Sequence, residues 1–200
     1  MSTDTSARIL DAACDLIAED GIEEVRIARV AQRAGASTAL VHHYFSTREE
    51  LLEQALIHSF ERSADERFGE AAEPPASARE GLALAIRESL PAPGAQEKEW
   101  VLWVELWVRA VREPDLRPVA TRLYERYRDW IAATIRAGVE SGEFDSDVDV
   151  DATADLAMAL LDGAGVRAMI DEPGMNLADA HALVARSLAP LLGVEPDELT

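Results

Sequence analysis

The sequence is poor in the patterns that mark secreted, membrane and β-sheet proteins. Its 200 residues include one cysteine, Cys14, so an intramolecular disulfide framework is excluded and we expect a cytoplasmic protein in a reducing compartment. The N-terminal segment has no basic stretch followed by an apolar one, so we expect no signal peptide. No apolar run approaches the roughly 20 residues that cross a bilayer. The best candidate, 156–169, is interrupted by Asp162 and Arg167, so we expect no membrane partner.

Positive charge is also scarce, and it is unevenly distributed. The chain has 19 Lys and Arg against 38 Asp and Glu, a formal net charge of −19, which by itself argues against a nucleic-acid partner. Residues 25–48 nevertheless contain no acid and four arginines, Arg26, Arg29, Arg33 and Arg48. A positive island in an acidic chain is more informative than the total charge, although a chance gap between acids would look the same.

Strand patterns are absent, and nearly the whole chain has helical periodicity. Alternating β-branched runs do not occur, whereas apolar residues recur at spacings of three and four. We predict an all-α protein of about nine helices, with three short helices, a long fourth helix over about 47–72 and five more separated by Pro and Gly. The predicted domains are a helix-turn-helix domain, 1–52, with the fourth helix as connector, and a ligand-binding and dimerisation domain, 53–200.

Two short helices joined by a turn at Gly35 are predicted from IARVAQRAG (27–35) and STALVHHYF (37–45). Such a helix-turn-helix unit can place its second helix in the major groove of DNA. Val41 and Phe45 share the inward face with Ala36, so the residues between them face outwards. Thr, His and Tyr can bond to bases or phosphates, and Ala and Leu can touch thymine methyl groups. The outward set is Thr38, Ala39, His42 and His43, with Leu40 and Tyr44 at the edges.

The adjacent histidines His42 and His43 do not have the spacing of a metal site. Neighbouring helical positions point about 100° apart, and two ligands on one face need a spacing of three or four residues. The acidic run DSDVDVD, 145–151, is spaced like the start of an EF-hand loop, but the required glycine and glutamate are missing. We expect neither a metal nor a cofactor.

Residues 21–52 closely resemble the DNA-binding domain of TetR-family transcriptional regulators. The matching residues are Gly21, Val30-Ala31, Gly35-Ala36-Ser37, Val41-His42-His43-Tyr44-Phe45 and Thr47-Arg48-Glu49-Glu50-Leu51. The resemblance implies an all-helical regulator whose third helix reads operator DNA.

The same resemblance implies a role for each of ten residues in binding DNA. Thr38, Ala39, Leu40 and His43 would face bases; His42, Tyr44 and Arg48 would contact phosphates; Ser37 and Thr47 would cap helices beside the phosphates. Three positions depart from the family pattern. The usual third-helix Tyr is His42, the usual Lys is Arg48, and Arg26 would take a phosphate contact that the family often assigns to Thr.

Clustered aromatic residues mark the second half of the chain. Trp100, Trp103 and Trp107 form a stripe at helical spacing, and Tyr124, Tyr127 and Trp130 repeat it. The spacing does not distinguish a ligand cavity from ordinary core. Residues 97–190 resemble the C-terminal domain of BetI-like members of the family, which implies an inducer pocket for a small molecule. The predicted pocket residues are Phe60, Trp103, Glu105, Trp107, Tyr127, Trp130 and Asp162.

The last two helices are rich in small and apolar residues, and the resemblance implies a homodimer formed by this pair. Two-fold symmetry would compensate for the few base pairs that one short recognition helix reads. The predicted interface residues are Leu156, Leu160, Gly163, Leu183 and Ser187.

The leading hypothesis is a repressor that a small molecule releases from double-stranded operator DNA. The alternative is an all-helical ligand-binding or scaffold protein without DNA function, which the acidic net charge favours. We do not expect an enzyme, because a Ser/His/Asp set, a glycine-rich phosphate loop and metal-ligand spacing are all missing.

Overall fold

The fold is described by a computed structural model for residues 2–68 and 75–200. Within these ranges there are nine α-helices and no strand, which confirms the all-α prediction. The helices are α1 (Ser2–Asp20), α2 (Ile27–Arg33), α3 (Thr38–Tyr44), α4 (Arg48–Phe68), α5 (Ala78–Glu88), α6 (Ala95–Arg112), α7 (Arg117–Ser141), α8 (Val150–Met169) and α9 (Leu177–Leu192). The predicted end of the fourth helix, near residue 72, lies outside the described residues.

Side-chain caps begin α3, which follows the predicted DNA-binding turn, and α4. Ser37 Oγ accepts a hydrogen bond from the Leu40 amide at 3.1 Å, and Thr47 Oγ1 accepts one from the Glu50 amide at 3.0 Å. Each bond satisfies one of the four amide groups that a helix leaves unpaired at its start. Both caps agree with the prediction from the sequence.

The chain divides into two compact units. The first contains Met1–Glu70 and Lys98–Leu123, and the second contains Ala71–Glu97 and Tyr124–Thr200. The predicted boundary after residue 52 falls inside α4, and the predicted ligand-binding domain contributes residues to both units. The functional division at residue 52 therefore stays a prediction.

The first unit is built around the contact between α1 and α4. Large apolar side chains from both helices are withdrawn from water, and each contributes about 1.5–3 kcal/mol of hydrophobic stabilisation. The short helices α2 and α3 pack on the same core. Its members include Ile9, Leu16 and Ile17 of α1, Leu52, Leu56 and Phe60 of α4, Val30 of α2, Val41 of α3, and Phe45.

The second unit is built around α8 and α9, which pack along each other. Alanines in the shared core allow a close approach of helices. Gly138 of α7 is required for a different reason, since an added Cβ would lie 2.1 Å from Cδ2 of Phe144. The core includes Leu82 and Ile86 of α5, Ile131 and Ile135 of α7, Ala157, Leu161 and Ala164 of α8, and Val184 and Leu188 of α9.

Candidate nucleic-acid interface and effector-binding residues

Helix α3 has one buried face and one face in solvent. Val41 is fully buried, and Phe45 at the end of the helix is 5% exposed. This confirms the two faces predicted from the helical period. The solvent side carries Thr38, Ala39, His42 and His43, which are exposed, with Leu40 and Tyr44 half-buried at its edges.

The turn between α2 and α3 is held by backbone geometry and by α1. Gly35 has a φ of 62°, in the left-handed region where glycine is favoured. The amide of Ala36 donates to the carbonyl of Ala31 at 2.8 Å. Arg8 of α1 donates to the carbonyl of Ala34 at 3.1 Å. These bonds hold the start of α3 against the rest of the first unit.

Aromatic contacts orient the outer end of α3. The His43 and Tyr44 rings meet edge to face, with centroids 5.4 Å apart and an interplanar angle of 74°. Tyr44 in turn contacts the ring of Phe45, at a centroid distance of 6.3 Å. Since Phe45 is anchored in the core, this chain of rings restricts where His43 points.

Two arginines that are predicted to contact phosphates donate hydrogen bonds to backbone carbonyls. Arg48 donates from Nε to the Val25 carbonyl at 2.8 Å, and from one terminal nitrogen to the carbonyls of Ile22 at 2.6 Å and Glu23 at 3.2 Å. Arg26 also donates to the carbonyls of Glu23 and Val25. Both guanidinium groups are therefore held by the segment that precedes α2.

The other arginines of the acid-free segment pair with acids of α1. Arg29 lies 2.8 Å from an Asp20 oxygen, and Arg33 makes two bonds to Glu19, at 3.1 and 2.7 Å. The hydrogen bond from Arg33 lowers the pKa of the Glu19 carboxyl. Because these pairs are exposed, solvent and salt screen them and phosphate groups can compete for the arginines.

Aromatic residues of the first unit form a continuous cluster. The ring centroids of Phe60 and Trp103 are 4.1 Å apart, those of Trp103 and Trp107 are 6.1 Å apart, and those of Trp100 and Trp107 are 5.9 Å apart. Phe60 and Trp100 are buried, whereas Trp103 and Trp107 are half-buried and leave part of their surface exposed to solvent. Trp100 joins this cluster although it is not among the predicted pocket residues.

Glu105 does not share the face of that cluster. It lies on α6 two residues from Trp103 and two from Trp107, which places it about 200° around the helix from each. The buried carboxylate of α6 is Glu99, which lies one helical turn before Trp103. It forms a two-pronged ion pair with Arg67 of α4, at 2.9 and 2.6 Å, with side-chain exposures of 10% for Glu99 and 17% for Arg67.

The remaining predicted pocket residues belong to the second unit. Tyr127 is buried, and half-buried Trp130 packs on the core of this unit. Asp162 accepts a hydrogen bond from the Tyr124 hydroxyl at 2.8 Å. Burial raises the pKa of the Asp162 carboxyl, and the bond from Tyr124 opposes that shift. The sequence spacing did not identify Tyr124 as the partner of this carboxylate.

The predicted dimer residues lie on accessible parts of α8 and α9. Leu156 is 39% exposed, and an added Cβ on Gly163 would meet no atom within 4 Å. The Ser187 hydroxyl donates to the carbonyl of Leu183 at 2.8 Å within its own helix. Leu160, Leu183 and Ser187 are half-buried. Apolar surface thus remains accessible on this helix pair.

The single thiol is buried, and the acidic groups that the structure describes do not gather into a metal site. Cys14 is buried and donates to the carbonyl of Ala55 at 3.1 Å. Burial raises the pKa of this thiol to about 12, so it is protonated and unreactive at neutral pH. Across the described ranges, no cluster of three or more His, Cys, Asp and Glu is placed to hold a metal ion. No helix in those ranges is long and apolar enough to cross a membrane.

Two family models match the chain. The model of bacterial regulatory proteins of the tetR family covers residues 9–55, and the model of the BetI-type transcriptional repressor C-terminal domain covers residues 78–193. The chain belongs to the TetR family of transcriptional regulators. This TetR-family protein is a ligand-responsive DNA-binding transcriptional regulator. The alternative of a helical protein without DNA function is therefore set aside.

Individual relatives of this TetR-family regulator agree over nearly the whole chain. It is 26% identical over 175 residues to the HTH-type transcriptional regulator BetI of Rhizobium meliloti, covering 88% of this chain and 83% of BetI. A transcriptional regulator from Saccharomonospora viridis, solved in complex with choline, is 31% identical, with a TM-score of 0.82 and coverage of 94% and 96%. A TetR-family regulator from Rhodococcus sp. is 28% identical, with a TM-score of 0.78 and coverage of 96% and 100%.

Proposed function

We propose that this regulator is a homodimeric repressor that a cationic small molecule releases from operator DNA. The solvent face of α3 carries the proposal, because exposed, bondable and nearly uncharged side chains are held there by a rigid turn and a buried core. The regulator acts by binding alone, without catalysing a reaction, and it works in the cytoplasm, where bacterial operator DNA is found.

We expect different residues on and beside the solvent face of α3 to contact bases and phosphates. Exposed positions near the start of the helix, together with His43, are proposed to face base edges, since recognition helices read bases mainly through their N-terminal residues. Phosphate contacts fix the register but carry no sequence information. The proposed base contacts are Thr38, Ala39, Leu40 and His43, and the proposed phosphate contacts are His42, Tyr44, Arg26 and the capping residues Ser37 and Thr47.

A gel-shift titration with duplex DNA from upstream of the regulator's own gene tests this assignment. His43→Ala is expected to weaken binding about tenfold and to change the preferred base, by loss of one specific contact. Tyr44→Phe keeps the ring packing and removes the hydroxyl, so it should weaken all duplexes alike. Gln54→Ala, on the exposed surface of α4, is the matched control. Absence of any shift at low salt, where phosphate attraction is strongest, would count against DNA binding.

Homodimer formation is proposed to use the accessible face of α8 and α9. Gly163→Gln would put a long polar side chain where the structure leaves open space beside Leu156. We expect this variant to elute as a monomer with unchanged helical content, because the chain's own fold does not fill that space. Glu140→Ala, on the exposed surface of α7, should stay dimeric. Light scattering after size-exclusion chromatography measures the mass, and a dimeric Gly163→Gln would contradict this interface.

The proposed effector is a quaternary ammonium compound of the choline type. The relative solved with choline is 31% identical over 94% of this chain, and tryptophan faces attract quaternary ammonium groups through cation–π interactions worth about 0.5–2 kcal/mol. Trp103 and Trp107 are half-buried and presented by the aromatic cluster of the first unit. In the first unit the proposed contacts are Phe60, Trp103 and Trp107, and Glu105 is left out because it lies around α6 from both tryptophans. The alternative set, in the second unit, is Tyr127, Trp130 and Asp162.

Calorimetric titration with choline and with its uncharged carbon analogue 3,3-dimethylbutan-1-ol separates charge recognition from shape. The two have the same outline, so a preference for choline of roughly 2- to 30-fold is expected from cation–π attraction. Trp107→Leu should remove the preference if the first unit supplies the face, and Trp130→Leu if the second does. Equal affinity for both compounds would exclude this effector class while leaving DNA binding untouched.

Release from DNA follows from linkage between the two sites. If choline lowers operator affinity by some factor, operator DNA must lower choline affinity by the same factor. Gel shifts at increasing choline concentration and choline titrations of the DNA complex measure the two factors independently. A choline complex that binds the operator as tightly as the free protein would rule out release by this effector.

A further inference from the structure

Arg48, the first residue of α4, is held by three backbone carbonyls. Its Nε lies 2.8 Å from the Val25 carbonyl oxygen, and one terminal nitrogen lies 2.6 Å from that of Ile22 and 3.2 Å from that of Glu23. The other terminal nitrogen is 3.5 Å from a carboxylate oxygen of Glu49. The side chain is 26% exposed, so most of its hydrogen-bonding surface is directed into the protein.

Along the sequence, the three carbonyls come before the helix-turn-helix unit and Arg48 comes after it. They are 23, 26 and 25 residues away in sequence, and this interval contains α2, the turn and α3. The residues that supply them precede α2 directly, whereas Arg48 follows α3. The side chain of Arg48 therefore joins the entry and the exit of the whole unit.

Arginine suits this position for a geometric reason. A planar guanidinium presents five donors in a rigid fork, so it can reach carbonyls in different directions at once, whereas the lysine ammonium is a single compact centre. Two of the carbonyls belong to the 3-10 turn Ile22–Glu24 and the third to Val25, which caps its C-terminal end, and the carbonyl end of a helical turn carries partial negative charge. Arg26 donates to two of the same carbonyls from the α2 side, so the segment is fixed from both ends.

We propose that Arg48 is a positioning residue that staples the two ends of the helix-turn-helix unit and is not a phosphate ligand. It sets the angle of α3 to α4, so that a displacement of α4 moves the whole recognition unit. The inference rests on operator binding through α3. Base contacts depend on that angle more strongly than phosphate attraction does, so loss of the staple should reduce discrimination between operator and random DNA.

Two substitutions at Arg48 separate the staple from a phosphate contact. Arg48→Lys keeps the positive charge but cannot bond to all three carbonyls. Arg48→Gln loses both the charge and the bonds to the three carbonyls. If Arg48 is a phosphate ligand, Arg48→Lys should bind DNA nearly as well as the wild type. For Arg48→Gln, the slope of log affinity against log salt concentration should then be smaller by about 0.9 per lost contact. The staple predicts that both variants lose about tenfold in the ratio of operator to scrambled-duplex affinity, the size of one specific base contact, with the salt slope unchanged.

The probe is a duplex selected from a random-sequence library by the wild-type protein, with a scrambled duplex of the same length as reference. Affinities are measured by fluorescence anisotropy at several salt concentrations. Arg62→Lys is the control, because Arg62 is also on α4, pairs with Asp11 and Glu66 and makes none of the carbonyl bonds; its affinity ratio should match that of the wild type. A wild-type ratio for Arg48→Lys, or a reduced salt slope for Arg48→Gln, would overturn the staple.

Hydrogen exchange without DNA tests the staple independently of DNA binding. In Arg48→Lys, amides of residues 22–30 are expected to exchange faster while those of α9 keep their wild-type rates, because only the entry segment loses its bonds. Unchanged exchange over 22–30 would overturn the inference even if DNA binding changes. A wild-type protein that selects no duplex would instead reject the proposed function, and the exchange experiment would still decide the staple. If Arg48→Gln fails to fold, the DNA affinity ratio and the hydrogen exchange are both measured on Arg48→Lys.

Discussion

Removing one partner of the Arg67–Glu99 ion pair should destabilise the regulator far more than removing both. The two side chains join α4 to α6 within the first unit through bonds of 2.9 and 2.6 Å. Their exposed fractions are 17% and 10%, so either charge, left alone, would be largely withdrawn from water. Methionine fills a similar volume without a charge, and we therefore choose Arg67→Met, Glu99→Met and the double variant.

The expected magnitude follows from the burial of the pair. Losing one partner of a fully buried pair costs about 3–5 kcal/mol, whereas an exposed pair is worth roughly 0–1 kcal/mol. Because a sixth of one side chain remains exposed, we expect about 2–3 kcal/mol for each single variant. For a chain of this length that is a fall in melting temperature of roughly 5–10 °C. The double variant should lie within about 1 kcal/mol of the wild type, since apolar replacement of a buried pair is often neutral.

The assay is a double-mutant cycle in urea, monitored by circular dichroism at one fixed protein concentration. The concentration must be constant because the proposed dimerisation would contribute to apparent stability. A second cycle on the exposed pair Arg33–Glu19, with side-chain exposures of 38% and 42%, is the matched control and should show no measurable coupling. The reasoning is refuted if the losses at Arg67 and Glu99 simply add in the double variant, or if the two cycles give equal coupling energies.

Three further outcomes are expected from local contacts. Ser37→Ala should lower the free energy of unfolding by about 1 kcal/mol in urea titrations, because the Leu40 amide loses its cap, while Ser37→Thr should keep it; equal losses in both variants would contradict the cap. Since burial raises the pKa of Cys14 to about 12, the native thiol should resist thiol reagents at neutral pH, and stability should fall as pH rises from about 9 towards 12, where the unfolded chain ionises first; rapid native-state labelling would refute this. Asp162→Asn keeps an acceptor for Tyr124 and removes a carboxylate whose pKa burial raises. The melting temperature should therefore rise at neutral pH and the gain should vanish in acid, where both forms are neutral; a lower melting temperature at neutral pH would count against it.

Prediction from the sequence succeeded where the information is local. The caps at Ser37 and Thr47, the turn at Gly35 and the buried positions Val41 and Phe45 all follow from residues within four positions of each other. Helical period and capping chemistry act over that distance. The resemblance to TetR-family regulators depends on the same local spacing, and the family models confirm it.

The sequence says less about how the predicted effector-binding residues are arranged, because they come from distant parts of the chain. The stripe of tryptophans on α6 was visible in the sequence, but its packing on Phe60 joins residues 43 positions apart. Glu105 was included as a polar lining residue, yet it lies around the helix from Trp103 and Trp107. Spacing shows which face of a helix a residue occupies, but not which other helix that face meets.

The sequence by itself determined the helices, their caps, the two faces of α3 and the family, because each depends on interactions within a few residues of chain. Only the tertiary structure decided what the charged side chains do. The resemblance to the family implies a phosphate contact for Arg48, and folding brings carbonyls from 23 to 26 residues away to its guanidinium. Arg67 and Glu99 are 32 residues apart and meet only when α4 packs on α6. A long, flexible cation bonds to whatever acceptor the fold places within reach, and that acceptor is not encoded in local spacing.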